Sequence, residues 1–409
     1  MGDREALIAE QLAVQSGGAP GPASADRSSA RCLSVCLDLS PSHGGSYRAA
    51  VDLAQAVGSP ILTFRDGTGA LRPEPLDVPV WEVDTTRWSP WSRYFWPPRR
   101  EAARLADLVG RPPLFFAHSL FRSHAAWVRE VATSRRVPYV VIPHGSLDPW
   151  AFQRRRAGKY LWMRGIGRAY LREAAMVMFS SDAERRKAEQ TLGFAVRSVV
   201  VPWPVDVRPL RPSAEDKREA RLQLGLPVDA RVLLYFGRYH SMKRPVETVR
   251  AFLDSAPSGV MLVMAGMDGD VSADLLRAEV GEAASSRIRV LGPVFGERRT
   301  ALLTAVDAFV SWSYRENFCY AAAESMAFGR PVILSPGNDL RGALGGVRCG
   351  WFPETAEPGR LGDAIRQFAA ITDNELDEMG VTAHVVAKNL FSRSGFVDTV
   401  RAIQRQLIA

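Results

Sequence analysis

Two carboxylates, Glu316 and Glu324, flank the start of a short predicted helix and are well placed to bind a polar ligand. The apolar run 308–312 is typical of a buried strand, and residues 318–327 are helix formers that end at a Gly-Arg-Pro sequence. A helix start leaves backbone N–H groups that favour a phosphate. One carboxylate for a sugar, amides for a diphosphate and a second carboxylate for a ribose would together hold a nucleotide-sugar. The alternative is a helix with Glu324 in solvent, although its neighbours are Ala and Met rather than charges.

Arg238 and Lys243 form a second set of charged residues at the end of a strand. They follow the buried-strand pattern of residues 232–236 and precede a predicted helix over 246–252. Arginine can clamp a phosphate with two hydrogen bonds, and lysine adds a compact charge. Cations that face a leaving diphosphate stabilise its developing charge. Two solvated surface cations are the alternative, which the position at a strand end disfavours.

Two histidines are predicted at the carboxyl ends of strands, where doubly wound domains bind their ligands. His144 follows the apolar run 138–142 and precedes a glycine, and His118 follows the run 114–117. A lone histidine is more often a structural residue. The position at a strand end favours a functional role for His144 only.

Gly44 and Gly45 lie in the turn between a predicted first strand, residues 32–39, and a predicted helix over 47–57. Glycines at such a turn let the backbone approach a phosphate or a sugar closely. The spacing differs from Gly-x-Gly-x-x-Gly, so a dinucleotide site is not predicted. A plain tight turn is the alternative.

The run from Ser313 to Ser335 resembles the Glu-x7-Glu signature of the retaining glycosyltransferases of group 1, also called family 4. It combines Glu-Asn-Phe, a second Glu eight residues after the first, and Gly-Arg-Pro-Val before a strand. The turn after Arg238 is similar to the Gly-Arg…Lys-Gly segment of that family, with Arg244 where glycine is common. The histidine segments resemble the paired "His…Pro-His-Gly" motifs. The resemblance implies an α/β GT-B fold, in which two doubly wound Rossmann-like domains face a central cleft.

The resemblance also implies which residues act on the donor. The catalytic set is His144, Glu316, Arg238 and Lys243. The donor-binding set is Gly44, Gly45, Val294, Asn317, Phe318, Cys319 and Glu324. In this assignment the cations and the amides of Phe318 and Cys319 hold the diphosphate, and the backbone at Val294 contacts the nucleobase. Cys319 stands where a glycine is more usual, and either packing or reactivity at a helix start would explain it.

The implied reaction is sugar transfer with retention, without a cofactor or metal. The partners are a nucleotide-sugar donor and a glycan, lipid-linked or small-molecule acceptor. No obvious carboxylate serves as a nucleophile on the far face of the sugar, which favours a same-face reaction. The one Asp-x-Asp sequence, residues 268–270, is interpreted as a polar turn. The alternatives are a catalytically silent GT-B binding partner, an epimerase or a phosphorylase.

The elements that must position these residues indicate two domains, as expected for 409 residues. Alternating strand and helix patterns predict parallel sheets covered on both faces. The predicted division is a disordered tail over 1–30, an acceptor domain over 31–205 and a nucleotide-sugar domain over 206–385. A terminal helix over 386–409 is expected to return to the first domain. The closely spaced prolines over 202–212 are typical of a stiff linker.

Composition limits the setting in which the chain works. The first thirty residues lack the apolar core of a secretory signal, and no run approaches the roughly 20 apolar residues of a membrane span. The four cysteines show no disulfide framework and no metal spacing. We therefore expect a cytoplasmic protein.

A formal net charge of +8 suits an anionic donor, an anionic membrane or a nucleic acid. The basic amphipathic segment 153–172 fits peripheral contact with the inner membrane face or a solvated surface. No recognised nucleic-acid module accompanies the charge, so nucleic acid is not a predicted partner. The aromatic cluster 88–96 fits an acceptor-side loop, a membrane-facing edge or a buried loop core.

Overall fold

The computed structural model of the chain describes residues 32–40, 44–65, 67, 76–153, 156–208 and 210–408. The tail predicted over 1–30 lies outside these residues. The chain is divided into two units. The first extends to Trp203 and resumes at Phe396, and the second is Pro204–Gly395. No helix among the described residues has the length and apolar character needed to cross a bilayer.

A parallel sheet of seven strands is the centre of the first unit within the described ranges. Its strands are β1 (Leu33–Leu37), β2 (Ile61–Arg65), β3 (Val80–Asp84), β4 (Phe115–His118), β5 (Tyr139–Ile142), β6 (Met176–Phe179) and β7 (Ser198–Val200). They are ordered β3-β2-β1-β4-β5-β6-β7. The strand sequences from β4 to β6 are almost entirely apolar, because every position on them is buried.

Helices connect these strands. They are α1 (Gly45–Val57), α2 (Pro90–Tyr94), α3 (Arg99–Val109), α4 (Ser123–Arg135), α5 (Pro149–Gln153), α6 (Arg156–Trp162), α7 (Arg168–Glu173) and α8 (Asp182–Leu192). A π-helical turn, Met163–Gly167, joins α6 to α7. The sequence predicted one continuous basic helix over 153–172, and the structure has helical segments with this widened turn inside.

The second unit repeats the plan with a six-stranded parallel sheet within the described residues. Its strands are β8 (Arg231–Phe236), β9 (Val260–Ala265), β10 (Ile288–Leu291), β11 (Ala308–Ser311), β12 (Val332–Leu334) and β13 (Gly350–Trp351). They are ordered β10-β9-β8-β11-β12-β13. Its helices are α9 (Ala214–Leu224), α10 (Pro245–Ser255), α11 (Ala273–Ala284), α12 (Gly296–Ala305), α13 (Tyr320–Ala327), α14 (Pro358–Ala370) and α15 (Asp373–Phe391).

The last helix, α16 (Arg393–Ile408), belongs to the first unit from Phe396 onward. The Arg401 side chain donates to the carbonyl of Ala56 at 3.0 Å, and Gln404 donates to the thiol of Cys32 at 3.2 Å. The sequence placed the start of the terminal helix at 386. In the structure, residues 386–391 still belong to α15, which packs on α13 in the second unit.

Both sheets reverse their strand order at one place, between β1 and β4 in the first unit and between β8 and β11 in the second. Ligands of doubly wound folds bind at the carboxyl ends of the strands beside such a reversal. The loops that leave these four strands carry most of the residues nominated from the sequence.

Candidate functional site

In the second unit, the loops after β8 and β11 meet through an ion pair between Lys243 and Glu316. The backbone supports this contact, since the N–H of Tyr314 donates to the carbonyl of Met242 at 2.7 Å. A cation from one loop and a carboxylate from the other therefore lie together at the reversal of the sheet. Arg238 lies on the same β8 loop, and Tyr235 donates to its carbonyl at 3.1 Å.

Burial and charge have opposite effects on Lys243. Burial is the larger single influence and lowers the pKa of its ammonium. The Glu316 carboxylate, Cys319 and the hydrogen bond to Glu316 together outweigh it, so the pKa of Lys243 is raised. The lysine therefore remains a cation at neutral pH, as phosphate binding requires.

The turn that carries Lys243 is held by an aspartate that the sequence analysis assigned to a polar turn. Asp270 accepts hydrogen bonds from the backbone N–H of Ser241 at 2.7 Å and from its hydroxyl at 2.5 Å. Asp268 accepts from the N–H of Ala273 at 2.9 Å. Both carboxylates of this Asp-Gly-Asp sequence thus bond to the chain's own loops, and Asp270 positions the cationic turn.

Glu316 is fixed at its backbone by the segment that follows β12. Its N–H donates to the carbonyl of Gly337 at 2.9 Å, and its carbonyl accepts from Asp339 at 2.8 Å. Gly337 itself lies so close to the loop after β11 that an added Cβ would collide with the carbonyl oxygen of Tyr314. The close approach explains why glycine occupies this position.

We therefore expect Gly337→Ala to displace the Glu316 loop. Overpacking of this kind costs about 1–3 kcal/mol of folding free energy, and donor turnover should fall at least tenfold because Glu316 moves. Gly342→Ala is the matched control, since a Cβ there meets nothing within 4 Å. Urea unfolding and donor hydrolysis of both variants check the prediction. Equal behaviour of the two variants would contradict it.

The start of α13 offers backbone donors beside this ion pair. No hydrogen bond among the described residues uses the N–H of Phe318 or of Cys319. Phe318 is buried against Tyr320 and Phe391, with ring centroids 5.0 and 5.7 Å apart. Asn317 lies between Glu316 and this helix start and is half-buried. The loop is therefore held in place, and two of its amides have no acceptor among the described residues.

Cys319 is buried at this helix start, and burial raises the pKa of its thiol to about 11. A thiol with such a pKa is protonated at neutral pH and is a poor nucleophile. Of the two explanations left open by the sequence, packing is the one the structure favours.

Glu324 is buried on α13 and forms an ion pair with Arg299 of α12. Arg299 is a site residue that the sequence alone does not indicate. The sequence feature that could have indicated Arg299 is its position on α12, the helix that directly follows the predicted nucleobase contact at Val294. Val294 is buried in that connection, whereas its neighbour Phe295 is 62% exposed. The pairing fixes the direction of the Glu324 carboxylate.

In the first unit, the carboxyl ends of β1 and β4 border a cavity of about 140 Å³. Asp38, Ser46, His118 and Ser119 are among its lining residues. Gly44 has φ 62° and ψ −122°, a backbone conformation that side chains disfavour, and Gly45 begins α1. Gly44 and Gly45 thus lie at the start of the helix whose first turn lines this cavity.

His118 and His144 form a direct pair. The Nδ1 of His118 and the Nε2 of His144 lie 2.9 Å apart, and His124 bonds to the carbonyl of His118 at 2.7 Å. The ring of Trp203 stacks on the ring of His144, and their centroids are 5.6 Å apart. The backbone of His144 is left-handed with φ 50°. The following residue, Gly145, donates to the Glu184 carboxylate at 2.7 Å.

The histidines of this group are neutral at pH 7. Burial lowers the pKa of His144 and of His124 to about 4. Burial, with smaller contributions from its histidine neighbours, lowers the pKa of His118 well below its usual value. His144 therefore offers a neutral imidazole, whose orientation His118 and Trp203 fix.

These depressed values predict how stability changes with pH. Between about pH 6.5 and 4 the unfolded chain binds more protons at these histidines than the folded chain does. The contribution of these histidines to the free energy of unfolding is therefore fully present above pH 6.5. It is lost progressively as the pH falls. The expected slope is about 1.4 kcal/mol per pH unit for each fully buried histidine. Urea unfolding at pH 7 and at pH 5 measures it, and equal stability at both would contradict the burial.

Comparison with known protein families covers both units. The model described as "Glycosyl transferases group 1" matches residues 216–382, and the model described as "Glycosyl transferase 4-like domain" matches residues 19–204. The chain belongs to the group 1 glycosyltransferases. The family predicted from the Glu316 and Arg238 segments is confirmed.

Curated relatives of this chain include the D-inositol 3-phosphate glycosyltransferase of Mycobacterium tuberculosis. The two are 32% identical over 198 residues, which is 47% of this chain and 40% of the relative. The matched region is thus less than half the length of that relative.

Solved structures of similar fold cover nearly the whole glycosyltransferase. Anabaena Alr3699/HepE in complex with UDP and glucose matches with a TM-score of 0.74 at 18% identity, covering 91% of this chain and 99% of that one. Sucrose-phosphate synthase from Thermosynechococcus elongatus matches with a TM-score of 0.72 at 20% identity, covering 92% and 99%. The predicted α/β two-domain GT-B fold is confirmed.

Proposed function

We propose that this chain transfers a sugar from a nucleotide-diphosphate donor to a hydroxyl group of a glycan, lipid-linked or small-molecule acceptor. The observation that carries the proposal is the Lys243–Glu316 ion pair at the β8/β11 reversal. Beside it lie the N–H groups of Phe318 and Cys319, which no described residue accepts. This loop pair provides a cation for a leaving diphosphate and a carboxylate for sugar hydroxyls. Bound UDP-glucose in an Anabaena structure of the same fold supports the donor class.

Each candidate site residue of the second unit has a role in this proposal. Arg238 and Lys243 neutralise the diphosphate, and the free amides at the start of α13 add hydrogen bonds. Glu316 accepts from hydroxyls of the sugar. Glu324, directed by Arg299, accepts from the ribose hydroxyls, and the backbone at Val294 contacts the nucleobase.

The first unit supplies His144, Gly44 and Gly45. A neutral imidazole can bond to a sugar hydroxyl without adding charge, and the pairing with His118 leaves its ring fixed. The glycine turn gives the donor diphosphate and the acceptor close access to the backbone.

We propose retention of the anomeric configuration by a same-face reaction. The support is the family resemblance and the absence of a predicted nucleophilic carboxylate. The anomeric proton coupling of the product, measured by NMR from a UDP-α-sugar, tests it. An inverted product would overturn retention without affecting the assignment of the donor site.

We propose that no metal ion is needed at the diphosphate. The support is that Lys243 and the amides of α13 supply the positive charge, while Asp268 and Asp270 bond to their own loops. Turnover that is unchanged by EDTA is the expected result. Loss of turnover on chelation and its recovery with Mg²⁺ or Mn²⁺ would overturn this part of the proposal.

Donor hydrolysis tests the activity before any acceptor is known. A thermal-shift screen of UDP-, GDP- and other nucleotide-sugars selects the donor, and slow release of the nucleotide follows without acceptor. A catalytically silent binding partner would bind the donor and leave it intact. Hydrolysis that disappears in Glu316→Gln would separate the enzyme from that alternative.

We further propose that the protein works in the cytoplasm and touches the inner membrane face. The support is the surface of α6 and the π turn, where Arg156 and Arg164 are exposed beside Tyr160 and Leu161. Co-sedimentation with vesicles containing phosphatidylglycerol, but not with pure phosphatidylcholine, is expected. Equal binding to both or to neither would overturn the membrane contact.

A further inference from the structure

A second, larger cavity lies in the first unit, with a volume of about 800 Å³. It is lined by Tyr94, Phe95, Phe121, Arg122, Gly158, Lys159 and Trp162. Four aromatic side chains and two cations thus surround it, and none of the described lining residues is acidic. A cavity of this size suits an organic ligand, and mostly apolar walls with a few polar groups are usual for such sites.

The aromatic wall is held in place by contacts that are unrelated to the histidine pair. Phe121 has a left-handed backbone with φ 61°, which is rare for a side chain of this size. Its ring lies edge-on to Trp162 at 5.1 Å, and the indole N–H of Trp162 donates to the carbonyl of Tyr94 at 3.1 Å. The three segments that form the wall are therefore tied to one another.

The two cations lie on this aromatic wall. The guanidinium of Arg122 is 4.2 Å from the centroid of Tyr94, and the ammonium of Lys159 is 5.2 Å from that of Phe121. Among the described residues, no salt bridge involves Arg122. Lys159 also donates a hydrogen bond to the carbonyl of Ala151, which leaves its charge in place. Positive charge in an apolar cavity whose described lining holds no carboxylate is complementary to an anion.

An exposed apolar side chain continues the wall. Trp91 is 60% exposed and stacks on Phe95 at 4.3 Å. A ligand with a long apolar part would cover this surface.

We propose that this cavity is an acceptor subsite for a phosphate ester with a hydrocarbon tail. The tail lies against the aromatic wall, and the phosphate lies at Arg122 and Lys159. The inference rests on the proposed function and selects the lipid-linked class among its three acceptors. Arginine suits the planar, two-oxygen contact with a phosphate, and lysine adds a point charge.

The test uses the full chain with farnesyl phosphate and farnesol as probes, below their aggregation concentrations, with binding measured by calorimetry. Farnesyl phosphate should bind at least tenfold more tightly than farnesol. Arg122→Gln should remove most of that difference, about tenfold to a hundredfold for a lost charge-assisted hydrogen bond. Arg156→Gln, an exposed arginine outside the lining, is the control and should bind normally.

Two glycines give a matched pair for blocking the cavity. Gly158 lines it and Gly165 does not, both are exposed, and a Cβ at either meets nothing within 4 Å. Gly158→Phe should weaken farnesyl phosphate binding at least tenfold, while Gly165→Phe keeps it. Equal binding by both variants, or farnesol binding as tightly as its phosphate, would overturn the proposal.

Donor hydrolysis separates this inference from the proposed function. We expect wild type and Gly158→Phe to hydrolyse a nucleotide-sugar equally well. Only Gly158→Phe should lose farnesyl phosphate binding. Hydrolysis without any farnesyl phosphate binding overturns the acceptor subsite alone. Binding that depends on Arg122, in a protein without donor hydrolysis, overturns the transferase activity and leaves the cavity as an anion-binding site.

Discussion

Replacing Lys243 with alanine should lower turnover of the nucleotide-sugar donor by about a hundredfold to a thousandfold, with only a few degrees' change in the melting temperature. The lysine is the cation that Glu316 holds at the β8/β11 reversal. Without it the leaving diphosphate loses a positive charge, and the Glu316 carboxylate beside it becomes repulsive. Stability changes little because the pair is partly exposed, with 29% and 17% of the two side chains accessible.

A second ion pair in the same unit provides the control for this prediction. Lys217 is 31% exposed and pairs with the buried Asp307, so Lys217→Ala removes a lysine of similar exposure from a carboxylate. We expect this variant to lose comparable stability and to keep its turnover. Donor hydrolysis and thermal unfolding, measured on both variants, decide the matter. Wild-type turnover in Lys243→Ala, or equal loss in both variants, would remove Lys243 from the phosphate site.

The arrangement of the sheets follows from the order of strand and helix patterns in the sequence. Short apolar runs such as 114–117 and 308–312 were identified as buried strands, and the structure has β4 and β11 there. Parallel strands joined by helices have few allowed arrangements, so the ends of neighbouring strands could be expected to meet. This topology explains why residues as distant as Lys243 and Glu316, which the family resemblance assigns to one site, come together.

The partners of the predicted residues could not be inferred in the same way. Arg299 and Asp270 are charged residues on a helix and in a turn, and nothing in their spacing distinguishes them from solvated charges. Gly337 is required by the close approach of the Tyr314 carbonyl in the loop after β11, which is a property of the folded chain. Contacts between distant segments depend on side-chain directions that periodicity does not specify.

The structure explains why a tryptophan occupies position 203, where the sequence departs from the family pattern. The sequence has Trp203-Pro204 where Asn-Gly is usual in the family it resembles. In the structure Trp203 is 2% exposed and packs between His144 and Phe396, at 5.6 Å from each ring. The substitution therefore links the last helix to the histidine that is predicted to reach the donor sugar.

Replacing Glu324 with glutamine should weaken nucleotide binding by about tenfold to a hundredfold, because the ribose hydroxyls lose a charged acceptor. Glutamine keeps the shape of a side chain that is buried on α13. It removes the ion pair with Arg299, but that arginine side chain is 33% exposed and retains water. The loss should therefore appear in KM and in the nucleotide Kd more than in kcat, since the ribose contact exists before and during the reaction.

Titration calorimetry with the free nucleotide diphosphate isolates this contact from the chemistry. Glu279→Gln is the control, because Glu279 also pairs with an arginine, Arg250, on the surface of the second unit. Arg299→Gln is the complementary variant, because it keeps the Glu324 carboxylate but removes the ion pair that orients it. The nucleotide affinity should therefore fall less than in Glu324→Gln. Unchanged affinity in Glu324→Gln would refute the ribose assignment, whereas a larger loss in Arg299→Gln would make the arginine, and not the carboxylate, the group that binds the nucleotide.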